Sequence, residues 1–146
     1  MDNILNIISI AVTSLLSMVA IAISIKTAQH QNKIALFEKR FELYEQEINY
    51  FDQAENYINT NDRCSITSME LMELESRHKI NIEKAKYLFD NRISMLLKQA
   101  EEYFKQIIHL YKQNELNQQE IDEIKNKIAV CHQKFDHKIK RFLKLQ

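Results

Sequence analysis

Residues 4–25 read ILNIISIAVTSLLSMVAIAISI, a run of 22 residues without a single charged side chain. At about 1.5 Å per residue, a helix of this length covers roughly 33 Å, which exceeds the roughly 30 Å hydrocarbon thickness of a bilayer. A secretory signal peptide is the alternative. It needs a basic start and a shorter apolar run, whereas this chain opens Met1-Asp2-Asn3. The stretch therefore predicts one membrane-spanning helix.

Basic residues flank only one end of the predicted span. No lysine or arginine precedes residue 4, whereas Lys26, Lys33, Lys39 and Arg40 follow residue 25. Because basic residues stay on the cytosolic side of a membrane, this asymmetry predicts an N-terminus outside and residues 26–146 in the cytosol. We expect a single-pass protein of a bacterial inner membrane.

One face of the predicted span is polar or small. Transmembrane helices pack along such faces because their backbones approach closely there and hydroxyls bond across helices or back to their own chain. In a ring of chains the same face can instead line a water-filled pore. Packing, pore lining and no special role are the three interpretations of this face, which consists of Asn6, Ser9, Thr13, Ser17, Ala20 and Ser24.

The composition favours helix throughout the chain. Its 146 residues include no glycine and no proline, which argues against a turn-rich β architecture. The two cysteines, Cys64 and Cys131, have no metal-ligand spacing, and we expect reduced thiols in the cytosol. The part of the chain after the span is long enough for one small domain.

We expect an all-α protein. A transmembrane helix within residues 1–25 continues into a long cytosolic helix that ends near residue 59, and further helices at about 67–78, 83–113 and 117–145 complete a bundle in residues 26–146. Asn59–Asp62 is typical of a turn, and Thr67–Glu70 and Asn117–Glu120 resemble capping boxes. Residues 79–83 are ambiguous, and Asp90 is an acceptable N-cap for a kink.

An apolar stripe follows the span at spacings of three and four residues. Such spacing is typical of a coiled-coil seam between chains or of a core-facing helix. The heptad position of Asn6 and Thr13 continues into this stripe, so one helix would carry both the membrane face and the seam. The predicted oligomer or core seam consists of Ile34, Phe37, Phe41, Tyr44, Ile48, Phe51 and Ile58.

Two short motifs carry a resemblance. Residues 36–45 read LFEKRFELYE, and residues 85–90 read AKYLFD with an isoleucine three residues later. This pattern resembles small bacterial membrane proteins with an N-terminal span and a helical cytosolic part. Some proteins of that plan are similar to transmembrane effectors of anti-phage defence. The resemblance implies an architecture and, by analogy of plan alone, a role in defence.

Sequence signatures of catalysis do not occur. The chain has no HExxH, glycine-rich phosphate loop, GxSxG or paired CxxC motif. His132 and His137, near Cys131 and Asp136, loosely suggest a metal site. Five residues of helix nevertheless turn them about 140° apart. We expect no enzyme, no cofactor and no metal.

Charge is segregated along the chain although the total is zero. Residues 38–124 carry a net charge of −7, and residues 125–146 carry +6. The basic tail has three interpretations: it offsets the acidic helices, it lies on anionic lipid, or it binds an anionic ligand such as a nucleotide or oligonucleotide at a subunit junction. A cytosolic protein partner is also expected there. The residues concerned are Lys134, Lys138, Lys140, Arg141 and Lys144.

These patterns lead to two functional hypotheses. The first is a homo-oligomeric membrane effector of about four or more chains, an ion channel or other permeabilising assembly in antiviral defence, controlled by its cytosolic bundle. The second is a non-conducting membrane anchor or scaffold that recruits a cytosolic partner. Depolarisation of cells that overexpress the protein distinguishes the two.

Overall fold

The computed structural model describes residues 2–59, 68–113 and 118–144. These residues form four helices and no strand: α1 (Asp2–Asn59), α2 (Ser68–Leu88), α3 (Asn91–Gln113) and α4 (Gln118–Phe142). The prediction of an all-α protein whose first helix is long and apolar is confirmed. The chain divides into two compact units, Met1–Phe37 and Glu38–Gln146.

The first unit is the N-terminal part of α1. Its described side chains from Asn3 to Leu36 are all exposed, including large apolar ones such as Ile10 and Met18 at 67% each. The most apolar 18-residue window has a mean hydropathy of 2.3 and no buried residue. By length and composition, this helix is a candidate membrane span, because water does not favour so much exposed apolar surface.

The second unit is a four-helix bundle around an aromatic and aliphatic core. Phe51 of α1, Phe104 of α3 and Phe135 of α4 are its largest fully buried side chains. Removing each such ring from water contributes about 1.5–3 kcal/mol. The Tyr44 and Phe51 rings both contact Phe135, at centroid distances of 6.2 and 5.7 Å. The core therefore joins helices that are distant in sequence.

Contacts along α1 and α4 show that these helices are antiparallel. The Arg40 guanidinium lies 5.6 Å from the ring centroid of Phe142, and the Tyr44 hydroxyl donates to Asp136 Oδ1 at 2.8 Å. Farther along α1, Glu55 reaches His132. Residue numbers thus rise along one helix as they fall along the other. Residues 40–44 of α1 therefore lie beside residues 136–142 at the C-terminal end of α4.

The chain turns between α2 and α3 at Phe89 and Asp90. Asp90 Oδ1 accepts a hydrogen bond from the backbone N–H of Ile93 at 2.9 Å, which satisfies one of the unpaired donors at the start of α3. The predicted cap at Asp90 is therefore present. The predicted bounds of about 67–78 and 83–113 are wrong, because α2 continues through residues 79–82 to Leu88 and the break lies at Phe89 and Asp90 instead. Within residues 79–82, Asn81 bonds to another helix instead of competing for its own backbone.

Arg40 of α1 contacts both this turn and the end of α4. Its Nε donates to the carbonyl of Leu88 at 2.6 Å, which caps the C-terminal end of α2. Its guanidinium also lies over the rings of Phe89 and Phe142 at 5.8 and 5.6 Å. The two motifs quoted above for their resemblance thus meet in the structure, since Arg40 belongs to the first and Leu88 and Phe89 to the second.

The remaining predicted turns fall mostly outside the described residues. The structure describes neither residues 60–67 nor residues 114–117, so Thr67 and Asn117, the expected N-caps, lie there. Cys64 lies there too. α1 ends at Asn59 and α4 begins at Gln118, close to the predicted bounds. Cys131 is a buried thiol, and burial raises its pKa.

The core makes a direct prediction about stability. Phe135→Ala should lower the free energy of unfolding by about 3–5 kcal/mol, because the ring is fully buried and its loss leaves a cavity. Gln133→Ala, an exposed neighbour on the same helix, should change it by less than about 0.5 kcal/mol. Urea unfolding of the detergent-solubilised chain, followed by near-ultraviolet circular dichroism of its tyrosines, measures both. Equal losses would contradict this packing.

Candidate functional site

A cluster of polar side chains lies inside the bundle where α1, α2 and α3 meet. His78 Nδ1 lies 2.7 Å from Glu47 Oε2, and Asn81 Nδ2 donates to Glu47 Oε1 at 2.9 Å. His78 Nε2 lies 3.1 Å from the carbonyl oxygen of Leu97. The three polar side chains are at most 3% exposed. The cluster therefore bonds three helices through groups that water does not reach.

The hydrogen-bond partners place a hydrogen on Nε2 of His78. A backbone carbonyl only accepts, so Nε2 donates to the carbonyl of Leu97. Glu47 Oε1 accepts from the Asn81 amide, and Glu47 Oε2 and His78 Nδ1 share one hydrogen across 2.7 Å. Every polar atom of the Glu47 and His78 side chains therefore has a hydrogen-bond partner, which allows the pair to remain buried.

Tyr50 covers the imidazole. Its ring is parallel to that of His78 within 4°, with 3.7 Å between centroids. The Tyr50 hydroxyl is buried and has no hydrogen-bond partner among the described residues. Burial raises its pKa, and the nearby carboxylates of Glu47, Glu101 and Glu75 raise it further, so Tyr50 stays protonated.

A cavity of about 440 Å³ opens beside this cluster between α1 and α2. Amide side chains of Gln46, Asn49 and Gln53 line its α1 side, and the ion-paired Glu73 and Arg77 line its α2 side. Amides both donate and accept hydrogen bonds, so the cavity suits small polar molecules. It contains no arrangement of a nucleophile, a base and an orienting group, since His78 is already bonded at both nitrogens.

The predicted polar face of the span is exposed, and most of its hydroxyls bond locally. Thr13 donates to the carbonyl of Ser9, Ser17 to that of Thr13, and Ser24 to that of Ala20, each at 2.8 Å. Asn6 is exposed as well. These hydroxyls are therefore satisfied within their own helix, as the packing interpretation expects of a helix in lipid.

The predicted seam divides between the core and the surface. Phe51 and Ile58 are buried in the bundle, and Ile34 and Phe41 are 41% and 42% exposed. The other three members, Phe37, Tyr44 and Ile48, are half-buried. The half of the seam nearer the C-terminus thus serves the chain's own core, and only its beginning presents apolar surface.

The predicted basic tail does not form one patch. Lys140 pairs with Asp136 one turn earlier, on the flank of α4 that faces α1. A second flank of α4, away from Lys140 and Asp136, carries three basic residues. These residues are spaced by four and three positions, which places them on one side of the helix: Lys134, Lys138 and Arg141. Lys144 is exposed beyond the end of α4. Only the flank with three residues is a continuous basic surface.

The two histidines of the loosely suggested metal site are apart. His132 stacks on Phe51 with 4.7 Å between ring centroids and faces Glu55, whereas His137 is exposed next to Arg141. Within residues 2–59, 68–113 and 118–144, no group of three His, Cys, Asp or Glu side chains is placed to bind a metal ion.

Sequence reasoning missed the buried cluster, although a signal for it exists. Glu47 occupies the same helical stripe as the core residues Leu43, Tyr50 and Ala54, at spacings of four, three and four. A carboxylate in an apolar stripe needs a buried partner. His78 holds the equivalent place on α2, four residues after the buried Leu74. The charge inside each stripe is the feature that would have predicted the pair.

Comparisons of the chain with protein-family models, with curated proteins and with solved structures find no match.

The buried pair can be tested with a double-mutant cycle. His78→Leu should cost about 1–3 kcal/mol of unfolding free energy, because it leaves Glu47 Oε2 buried without its hydrogen-bond partner. Glu47→Leu should cost a similar amount, because it leaves Nδ1 of His78 without a partner. Combining the two changes should cost no more than either alone, since neither member of the pair then remains unsatisfied. Urea unfolding measures all three variants, and additive losses would show that the two side chains do not interact.

The Asp136 carboxyl provides a pH-dependent test. Hydrogen bonds from Lys140 and then from Tyr44 lower its pKa. An acid with a lowered pKa stabilises the fold above its unfolded pKa of about 4, and this contribution disappears as the pH falls through the folded value. Asp136→Asn should therefore destabilise the bundle at pH 7 by less than about 1 kcal/mol, because the group is partly solvated.

The same substitution should have progressively less effect below pH 4. Thermal unfolding at pH 7, 4 and 2.5 measures the difference in melting temperature between the wild type and Asp136→Asn. Asp122→Asn, an exposed position on the same helix, serves as the control. A difference in melting temperature that grows as the pH falls would contradict a lowered pKa of Asp136.

Proposed function

We propose that this protein is a homo-oligomeric membrane effector. Residues 4–25 cross a bacterial inner membrane once, with the N-terminus outside and the bundle in the cytosol. The polar faces of the spans, Asn6 to Ser24, pack together, and the bundle controls whether the assembled spans permeabilise the membrane. Anti-phage defence is the setting that the resemblance of residues 36–45 and 85–90 implies.

The continuity of α1 is the observation that carries this proposal. The helix includes every described residue from Asp2 to Asn59. It thus supplies the exposed apolar segment and also Glu47 and Phe51 of the bundle interior. A change in how the bundle holds α1 acts on the same helix that crosses the membrane. A flexible tether would be enough for an anchor that only recruits a partner.

A trigger has two places to act on the bundle. The cavity beside Gln46 and Gln53 lies against the buried pair, so a bound polar molecule there would change the packing of α1 on α2. The basic flank with Lys134, Lys138 and Arg141 offers charge to an anionic ligand or a cytosolic protein. Both places contact helices that hold α1 in the bundle.

A non-conducting anchor or scaffold is the second candidate. The local hydrogen bonds of Thr13, Ser17 and Ser24 favour it, because hydroxyls bonded to their own helix need neither a pore nor water. In that case the span only fixes the bundle to the membrane, and the exposed charged flanks recruit a partner.

Membrane potential distinguishes the two candidates. Overexpression in bacteria should depolarise the cells and arrest growth. Thr13→Leu combined with Ser17→Leu should relieve both effects, because it removes two hydroxyls from the polar face. The matched control is Leu15→Ile with Leu16→Ile, which leaves that face unchanged. A potential-sensitive dye reports the outcome, and unchanged potential at equal membrane abundance of the wild type would support the anchor.

A further inference from the structure

We propose that copies of this chain associate head to tail through two charged surfaces, an acidic face on α1 and a basic face on α4 of the next copy. The acidic face consists of Glu38, Glu42, Glu45 and Asp52. The basic face consists of Lys134, Lys138 and Arg141. This inference rests on the proposed homo-oligomer and names the surfaces that would assemble it.

The acidic face is an exposed, uniform stripe. Its four residues are spaced by four, three and seven positions, which places them on one side of α1, and all four are exposed. None of the four carboxylates makes an ion pair within the described part of the chain. Phe41, between Glu38 and Glu42, is 42% exposed. The stripe therefore combines negative charge with apolar surface, as an interface does.

The basic face is its counterpart. Lys134 and Arg141 are exposed and Lys138 is half-buried, and none of the three pairs with a carboxylate in the described residues. The Arg141 guanidinium lies 3.3 Å from Nε2 of His137. Val130, one turn before Lys134, is 44% exposed on the same flank. This surface thus offers positive charge beside an apolar side chain.

The two faces cannot neutralise each other within one chain. The flank of α4 that meets α1 carries His132 and Asp136, which contact Glu55 and Tyr44. The basic face lies on the other flank, in line with Lys127, which lies over Tyr103 of α3. Each copy therefore presents one acidic and one basic surface on different sides of its bundle.

The two faces nevertheless lie at the same level of the bundle. Arg40 contacts Phe142, and Tyr44 contacts Asp136, so residues 38–45 of α1 are level with residues 134–142 of α4. If copies are related by a rotation axis parallel to the bundle axis, residues 38–45 of one copy lie at the same height as residues 134–142 of the next. Neighbouring copies then bring acidic and basic surfaces together, and such a contact between unlike surfaces generates a ring where the rotation closes.

Complementary charge also favours a second copy of this chain over other partners. Opposite faces attract during approach, and like faces repel, so acidic-to-acidic and basic-to-basic pairing of two copies is disfavoured. A second copy in the same membrane is always available at high local concentration. These properties favour this chain itself over an unrelated partner.

Charge reversal tests the proposal in the full-length, detergent-solubilised protein. The first variant is Glu42→Lys with Glu45→Lys, and the second is Lys138→Glu with Arg141→Glu. Each should weaken self-association at least tenfold, as measured by light scattering during size-exclusion chromatography, because it gives the copies two faces of like charge. Mixing the two variants should restore particles that contain both, since their faces are again opposite.

Matched controls change the same charge elsewhere. Glu102→Lys with Asp122→Lys and Lys79→Glu with Lys98→Glu alter exposed residues outside both faces, and they should leave the particle mass unchanged. Recovery in the mixture also shows that the reversed variants are folded. A wild-type oligomer that neither reversal weakens would overturn the interface but leave the proposed homo-oligomer intact. A monomeric wild type would overturn both.

Discussion

The bonded pair of Glu47 and His78 is the constraint on which the bundle depends. It takes one side chain from α1, one from α2 and a backbone carbonyl from α3, and Asn81 completes it. A buried polar group costs free energy unless each of its hydrogen-bonding atoms has a partner, so this set favours the mutual position of the three helices that completes all of its bonds.

The position of the pair also links stability to function. Tyr50 stacks on His78, and the cavity between α1 and α2 opens next to both. α1 is held there by polar contacts, and at its other contacts by Arg40 and by the aromatic core with α4. A molecule that enters the cavity would act on the helix that continues into the exposed apolar segment.

Sequence patterns were sufficient for features that depend on local spacing. The uncharged run at residues 4–25 and the lack of glycine and proline predicted the long helix, and Asp90 predicted the cap of α3. The failures came from contacts between distant residues. Residues 79–83 were ambiguous, and the predicted helices stopped at residue 78 and resumed at residue 83. In the structure the helix continues through Asn81, whose side chain bonds to Glu47, 34 residues earlier. The basic tail was treated as one patch, and the contact of Asp136 with Tyr44 shows that two flanks exist.

Charge segregation has a different meaning once the helices are placed. A chain of zero net charge could pair its acidic and basic segments with each other, yet the contacts between α1 and α4 use aromatic rings and a few polar pairs such as Tyr44 with Asp136. The acidic face of α1 and the basic face of α4 lie on other flanks, and we propose that they meet between copies. Assembly through such surfaces would bring the polar faces of the spans together without any additional partner.

We propose that several copies act together in the membrane. Single-molecule photobleaching of the fluorescently labelled protein in nanodiscs prepared directly from cell membranes counts the copies in each particle. We expect about four or more bleaching steps per particle in the wild type. Particles that bleach in a single step, at a labelling efficiency verified with a known oligomer, would contradict it.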